Sequence, residues 1–137
     1  VNPMSARLCY GENYLEVSAF CFYPKEEERG NPYNPTFSLI VQSCGFRGIA
    51  PCEYDIKNFK VFVADLHRLY RFEIDKTMLE DTCYGSKVLF AMDRTGHLEL
   101  SGEIFGRSMD HAMKFCFHAD QTVLKSFLDS LDELVVW

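Results

Sequence analysis

Positive charge is in short supply in this sequence: 14 lysines and arginines stand against 20 aspartates and glutamates, a formal net charge of −6. Binding to a phosphate backbone needs an excess of cations gathered on one face, so nucleic acid is not expected as a partner. Also missing is an apolar run of the roughly 20 residues that a membrane span requires, and no membrane insertion is expected. The opening VNPMSARLCYGEN has neither the apolar centre nor the small-residue cleavage pattern of a secretory signal, which points to a cytoplasmic protein. The six cysteines, at 9, 21, 44, 52, 83 and 116, contain no C-x-x-C pair. They are expected to be reduced thiols, most of them small core hydrophobes among apolar strand neighbours.

The usual chemical motifs are absent as well. GFRG and GEIFG lack the spacing and the strand-turn-helix setting of a phosphate-binding loop. There is no G-x-S-x-G elbow and no H-E-x-x-H pair, so no catalytic residue, cofactor or metal is expected.

What is present is apolar substance. At 137 residues, 47% of them hydrophobic and twelve of them phenylalanine, the chain is long enough to bury roughly two thirds of its unfolded surface. Residues 1–137 read as a single globular domain with a phenylalanine-rich core.

The segment RLCYGENYLEVSAFCFYP reads as a hairpin turning at Gly11-Glu12-Asn13, in which Leu15, Val17, Ala19 and Cys21 alternate with Glu16, Ser18 and Phe20. KEEERGNPYNP then breaks both periods and reads as a surface loop. TFSLIVQSCGFRGIAPCEY gives two further strands. Asp55 is placed to cap a helix whose stripe is Ile56, Phe59, Phe62, Val63, Leu66, Leu69 and Tyr70. DKTMLEDTCYGS reads as a polar connection. KVLFAMDRTGHLELSGEIFG is a hairpin with Val88, Phe90, Met92, Leu98, Leu100 and Ile104 inward, and HAMKFCFHA adds a strand. Asp120 then caps a last helix with Val123, Leu124, Phe127, Leu128, Leu131, Leu134 and Val135 on its apolar side.

The order is strands, helix, strands, helix. Connections this short favour antiparallel pairing, so the expected fold is α+β: a mainly antiparallel sheet of about seven strands with two amphipathic helices on one face.

The polar residues support several readings. Cys116 and His118 are two apart in a strand and share a face opposite Phe115 and Phe117. Two donors fall short of the three or four that zinc takes. His97 and His111 read as solvated edge residues, and His67 as a ring partly covered beside the helix stripe with its polar tip in water. Glu26, Glu27 and Glu28 in the loop, and Asp129, Asp132 and Glu133 on the polar side of the last helix, read either as solvated faces or as an acidic surface for a cationic protein partner.

The succession FKVFVADLHRLYR, KVLFAMD, HLELSGEI, MKFCFHA and DQTVLKSFLDSLDELV, with the Asp120-Gln121-Thr122 helix start and the opening NYLEVSAFCFYP, resembles the WapI-like immunity proteins. These are small cytosolic bacterial proteins encoded beside polymorphic toxins whose effect they neutralise. The chain carries NPYNPTF where the family commonly has an Asn-Trp pair, and its one tryptophan is Trp137. The resemblance implies a non-enzymatic inhibitor that binds and occludes a toxin domain. The charge and expected exposure of loop 24–35 and of the acidic side of the last helix make these the expected docking surface. Two other readings stand beside it. One is a small-molecule binding domain with an aromatic pocket. The other is a hydrolase or metal enzyme using Cys116, His118 and a carboxylate from elsewhere in the fold.

Overall fold

The computed structural model describes residues 4–135, which leaves Val136 and Trp137 of the terminal ELVVW outside it. The described residues form, in order, β1 (Ala6–Tyr10), β2 (Asn13–Cys21), α1 (Pro24–Glu28), β3 (Thr36–Ser43), β4 (Phe46–Glu53), α2 (Ile56–Tyr70), β5 (Lys76–Glu80), β6 (Lys87–Met92), β7 (His97–Phe105), β8 (Ala112–Asp120) and α3 (Gln121–Leu134). All strand pairs are antiparallel, which confirms the α+β class. The strands divide into two four-stranded sheets, β1-β2-β3-β4 and β5-β6-β7-β8, rather than joining in one. Each half is thus an up-and-down meander followed by a helix.

The strand absent from the sequence reading is β5, inside the supposed polar connection. Only Leu79 of its five residues is buried, so an edge strand of this kind offers almost no apolar alternation to read. The loop after Pro24 likewise holds a short helix, α1, begun by proline at its first turn.

Both long helices start as their sequences require. Asp55 accepts hydrogen bonds from the backbone N–H groups of Lys57 and Asn58, and Asp120 accepts one from Thr122. Ile56, Phe59, Phe62, Val63, Leu66 and Leu69 of α2 are buried, as are Leu124, Phe127, Leu128, Leu131 and Leu134 of α3. The helices touch each other; α2 also packs on β5, while α3 packs on β1 at the opposite end of the chain. No helix among the described residues is long and apolar enough to cross a membrane.

One buried cluster draws on both sheets and both long helices. Its axis is a run of rings. Phe59 of α2 stands 5.3 Å from Phe20, 5.6 Å from Phe37 and 5.4 Å from Tyr54, all centroid to centroid, and 6.1 Å from Phe62. Phe62 reaches Phe90 of β6 at 5.6 Å, and Phe90 reaches Phe127 of α3 at 6.3 Å.

Phe20 reaches this cluster through an irregularity. The pairing of β2 with β3 shifts between Ser18 and Cys21, and Ala19 takes a φ of 54°. The bulge advances the alternation by one residue, so Phe20 turns inward and Ala19 outward, the reverse of a regular strand.

The halves are further tied by Asp81, a buried carboxylate in the connection between β5 and β6. Its Oδ1 accepts the Glu53 N–H at 2.6 Å, and its Oδ2 accepts the N–H groups of Tyr84 and Gly85. Removing this acceptor strands several donors, each costing about 1–3 kcal/mol when left unmet in the interior. Asp81→Ala is expected to lower stability by about 2–4 kcal/mol in denaturant titration, and Asp81→Asn, which keeps one oxygen, by less. Equal losses for the two would show that the oxygens are not what matters.

Candidate functional site

The cysteines are not core residues for the most part. Cys52 alone is buried; Cys21 is half-buried, and Cys9, Cys44, Cys83 and Cys116 are exposed, all six as free thiols. The reason is strand parity. Cys116 alternates with the buried Phe115 and Phe117 and so faces outward, with Lys114 and His118 as its neighbours on that side.

Strand pairing then assembles a cluster on the outer face of the second sheet. His118 lies opposite Glu99, and Cys116 opposite Ser101. Donor atoms of Glu99, Cys116 and His118 all come within 4.8 Å of one another. His118 Nδ1 is 4.0 Å from Glu99 Oε2 and 2.9 Å from His97 Nε2.

His97 is set in place by the turn before β7, where Asp93 Oδ1 accepts the N–H groups of Thr95 and His97 and the Thr95 hydroxyl. The hydroxyl bond first, then the backbone bonds, hold the Asp93 carboxyl below its ordinary range. From the other sheet the β3–β4 turn reaches the same place: Ser43 Oγ donates to the Cys116 carbonyl at 3.2 Å, and the adjacent Cys44 backbone is held by Asn13.

The surroundings of Cys116 disfavour its thiolate form. Partial burial pushes its thiol pKa up, and the Glu99 carboxylate and the Cys44 sulfur push it further. Reactive cysteines need the opposite shift. The carboxylate that sequence reasoning wanted from elsewhere in the fold is Glu99, one strand away. Neither it nor His97 was singled out as a partner of Cys116 and His118, because only the β7–β8 register brings them alongside.

The acidic residues are placed less uniformly than their sequence suggests. Glu26 is bound by Arg29 at 2.9 Å and by Asn31 at 3.3 Å, Glu27 is half-buried and Glu28 is exposed. On α3, Asp129 pairs with Lys125 and Glu133 is exposed. Asp132 holds His67 Nε2 at 2.8 Å, so the tip of that ring meets a carboxylate from the neighbouring helix. His111 is exposed, as expected.

Around α1 the chain forms a surface cleft of about 540 Å³ lined by Tyr23, Lys25, Glu26, Arg29, Asn31, Tyr33, Asn34 and Thr36. Tyr23 is 58% and Tyr33 47% exposed. Its floor is fixed by Asn34, whose buried side chain accepts the Tyr23 N–H at 2.9 Å and donates to the Tyr23 carbonyl at 2.8 Å. A second depression, of about 520 Å³, runs from Asp75 and Lys76 past Asp93 and Arg94 to His97 and Glu99. Both open at the surface and carry charged groups, unlike an enclosed pocket of core aromatics.

Set against known proteins, the chain matches no family model and no curated protein.

Proposed function

We propose that this chain is a non-enzymatic, cytoplasmic binding protein that neutralises a basic protein partner, a toxin domain of the kind opposed by the WapI-like immunity proteins it resembles, by docking on it and covering its working surface. The observation that carries the reading is the cleft around α1. Two half-exposed tyrosines and an arginine stand there beside consecutive glutamates, on a backbone that Asn34 holds in one shape. Tyrosine and arginine supply large contact area at interfaces for little loss of side-chain freedom. The acidic rim and the net charge of −6 favour encounter with a cationic surface. Asp129, Asp132 and Glu133 form the second acidic surface of the proposal. The existing pairs of Glu26 with Arg29 and of Asp129 with Lys125 are exposed ion pairs of small net worth, so a partner's cations can replace them at little cost.

The test is to ask whether the gene's neighbour encodes a basic toxin domain and to measure the chain's affinity for it; a neighbourhood without one counts against the reading. Tyr33→Ala is expected to weaken binding at least about tenfold, chiefly through faster dissociation. Lysine at positions 129, 132 and 133 together is expected to slow association and flatten its salt dependence. Unchanged affinity in both variants would eliminate these surfaces, and the docking reading with them.

A further inference from the structure

We propose that Glu99, Cys116 and His118, joined by His97, form a binding site for a divalent transition metal, Zn²⁺ by its ligand chemistry, on the outer face of the second sheet. The site is independent of the docking surfaces described above.

The argument begins with ligand type. A thiol, imidazoles and a carboxylate are the three donor classes that zinc accepts, whereas hard cations such as Mg²⁺ and Ca²⁺ take oxygen and avoid sulfur. Three protein donors are also the number found at open zinc sites.

Geometry comes next. Bonds of about 2.0–2.3 Å place tetrahedral donors about 3.3–3.8 Å apart. Here one donor from each of Glu99, Cys116 and His118 lies within 4.8 Å of the others, with His118 Nδ1 to Glu99 Oε2 at 4.0 Å. The His118–Glu99 pair needs to close by less than about 1 Å and the widest pair by up to about 1.5 Å to reach bonding distance, within reach of rotamer changes in side chains that, for His118 and Glu99, stand about half exposed. The donors stand on adjacent, register-locked strands of a four-stranded sheet, so the backbone is already in place.

His97 supplies the third line of reasoning. Its Nε2 and His118 Nδ1 are 2.9 Å apart, sharing one proton between two nitrogens. A divalent cation can displace that proton if the two nitrogens open to about 3.3 Å; His97 lies outside the three donors already within 4.8 Å of one another and becomes a fourth ligand only by swinging toward them. The backbone of His97 is fixed by Asp93 at 3.0 Å, so the ring is aimed from a rigid turn.

Metal also answers the electrostatic arrangement. A carboxylate, a thiol and an imidazole converge here; a divalent cation neutralises the carboxylate and releases the thiol proton. The depression running from Asp75 past His97 and Glu99 leaves the position approachable from solvent.

The experiment is titration of the reduced, metal-free protein with Co²⁺ and with Zn²⁺ against a chelating indicator. The expected result is one equivalent of either ion. The cobalt form should show a thiolate-to-metal charge-transfer band in the near ultraviolet and visible bands of tetrahedral intensity. Cys116→Ser should abolish the charge-transfer band, and Cys116→Ser, His118→Ala and Glu99→Gln should each weaken Zn²⁺ at least about tenfold. His97→Ala should lower the visible intensity or weaken binding by a similar factor. Cys83→Ser, at an exposed cysteine outside the cluster, should leave both ions unaffected. All these side chains point away from the core, so the metal-free variants should unfold at the wild-type temperature, which checks that lost binding is not lost fold. Failure of the native protein to bind one equivalent of either ion would overturn the site. So would a charge-transfer band that survives Cys116→Ser or disappears with Cys83→Ser.

Discussion

Phe59→Ala is expected to be among the most damaging single substitutions in this chain, lowering the free energy of unfolding by about 3–5 kcal/mol. Phe59 is fully buried, and its ring meets those of Phe20, Phe37, Tyr54 and Phe62. Truncation removes the transfer free energy of the ring and leaves a void between a helix and two strands whose backbones are held by their own hydrogen bonds, so the gap cannot collapse. Phe59→Leu, which retains much of the volume, should recover part of the loss. Urea titration would check both. A change below about 1 kcal/mol in Phe59→Ala, the scale of a surface substitution, would show that the ring is not where the packing is determined.

Gly102→Ala is expected to be comparably severe for a different reason. A Cβ at this position would sit 2.0 Å from the Lys87 carbonyl oxygen and 3.1 Å from the Val88 Cα, both of them backbone atoms of the neighbouring strand. Nothing at the end of a flexible side chain can move aside. β6 and β7 would have to separate where Val88 pairs with Gly102, in the middle of the second sheet. About 3 kcal/mol or more should be lost, at the upper end of the range for overpacking. Gly48→Ala is the useful contrast. There the nearest atoms are Met113 Sδ at 2.9 Å and Ile104 Cδ1 at 3.1 Å, and methionine yields readily. If the two alanine variants melted at the same temperature, the distinction between backbone and side-chain obstruction would not hold for this sheet.

The amphipathic elements were legible because their signals are local. The caps Asp55 and Asp120 and the stripes of α2 and α3 follow from spacing alone, and the buried rows Val88, Phe90, Met92 and Leu98, Leu100, Ile104 follow from alternation. The failures occur where burial depends on neighbours distant in the chain. β5 has one buried residue because it is an edge, so its sequence hardly differs from that of a loop. Phe20 and Ala19 exchange faces because of a bulge whose only trace in the sequence is that both are tolerated there. The division into two sheets is invisible to periodicity, since each strand has the same alternation in either arrangement. At the candidate metal site, Cys116 and His118 were recognised as sharing a face. Glu99 joins them only through pairing register, which no spacing within one strand encodes.

The run of rings from Phe20 and Phe37 through Phe59, Phe62 and Phe90 to Phe127 bears on how the molecule comes apart. Phe20 and Phe37 each meet Phe59, from which each ring meets the next, and together they belong to both sheets and both long helices. Neither half can open without wetting an aromatic surface that it shares with the other, so intermediate states with one meander intact carry an apolar penalty and stay sparsely populated. Amides throughout the core should therefore exchange with solvent at one common rate, set by global unfolding.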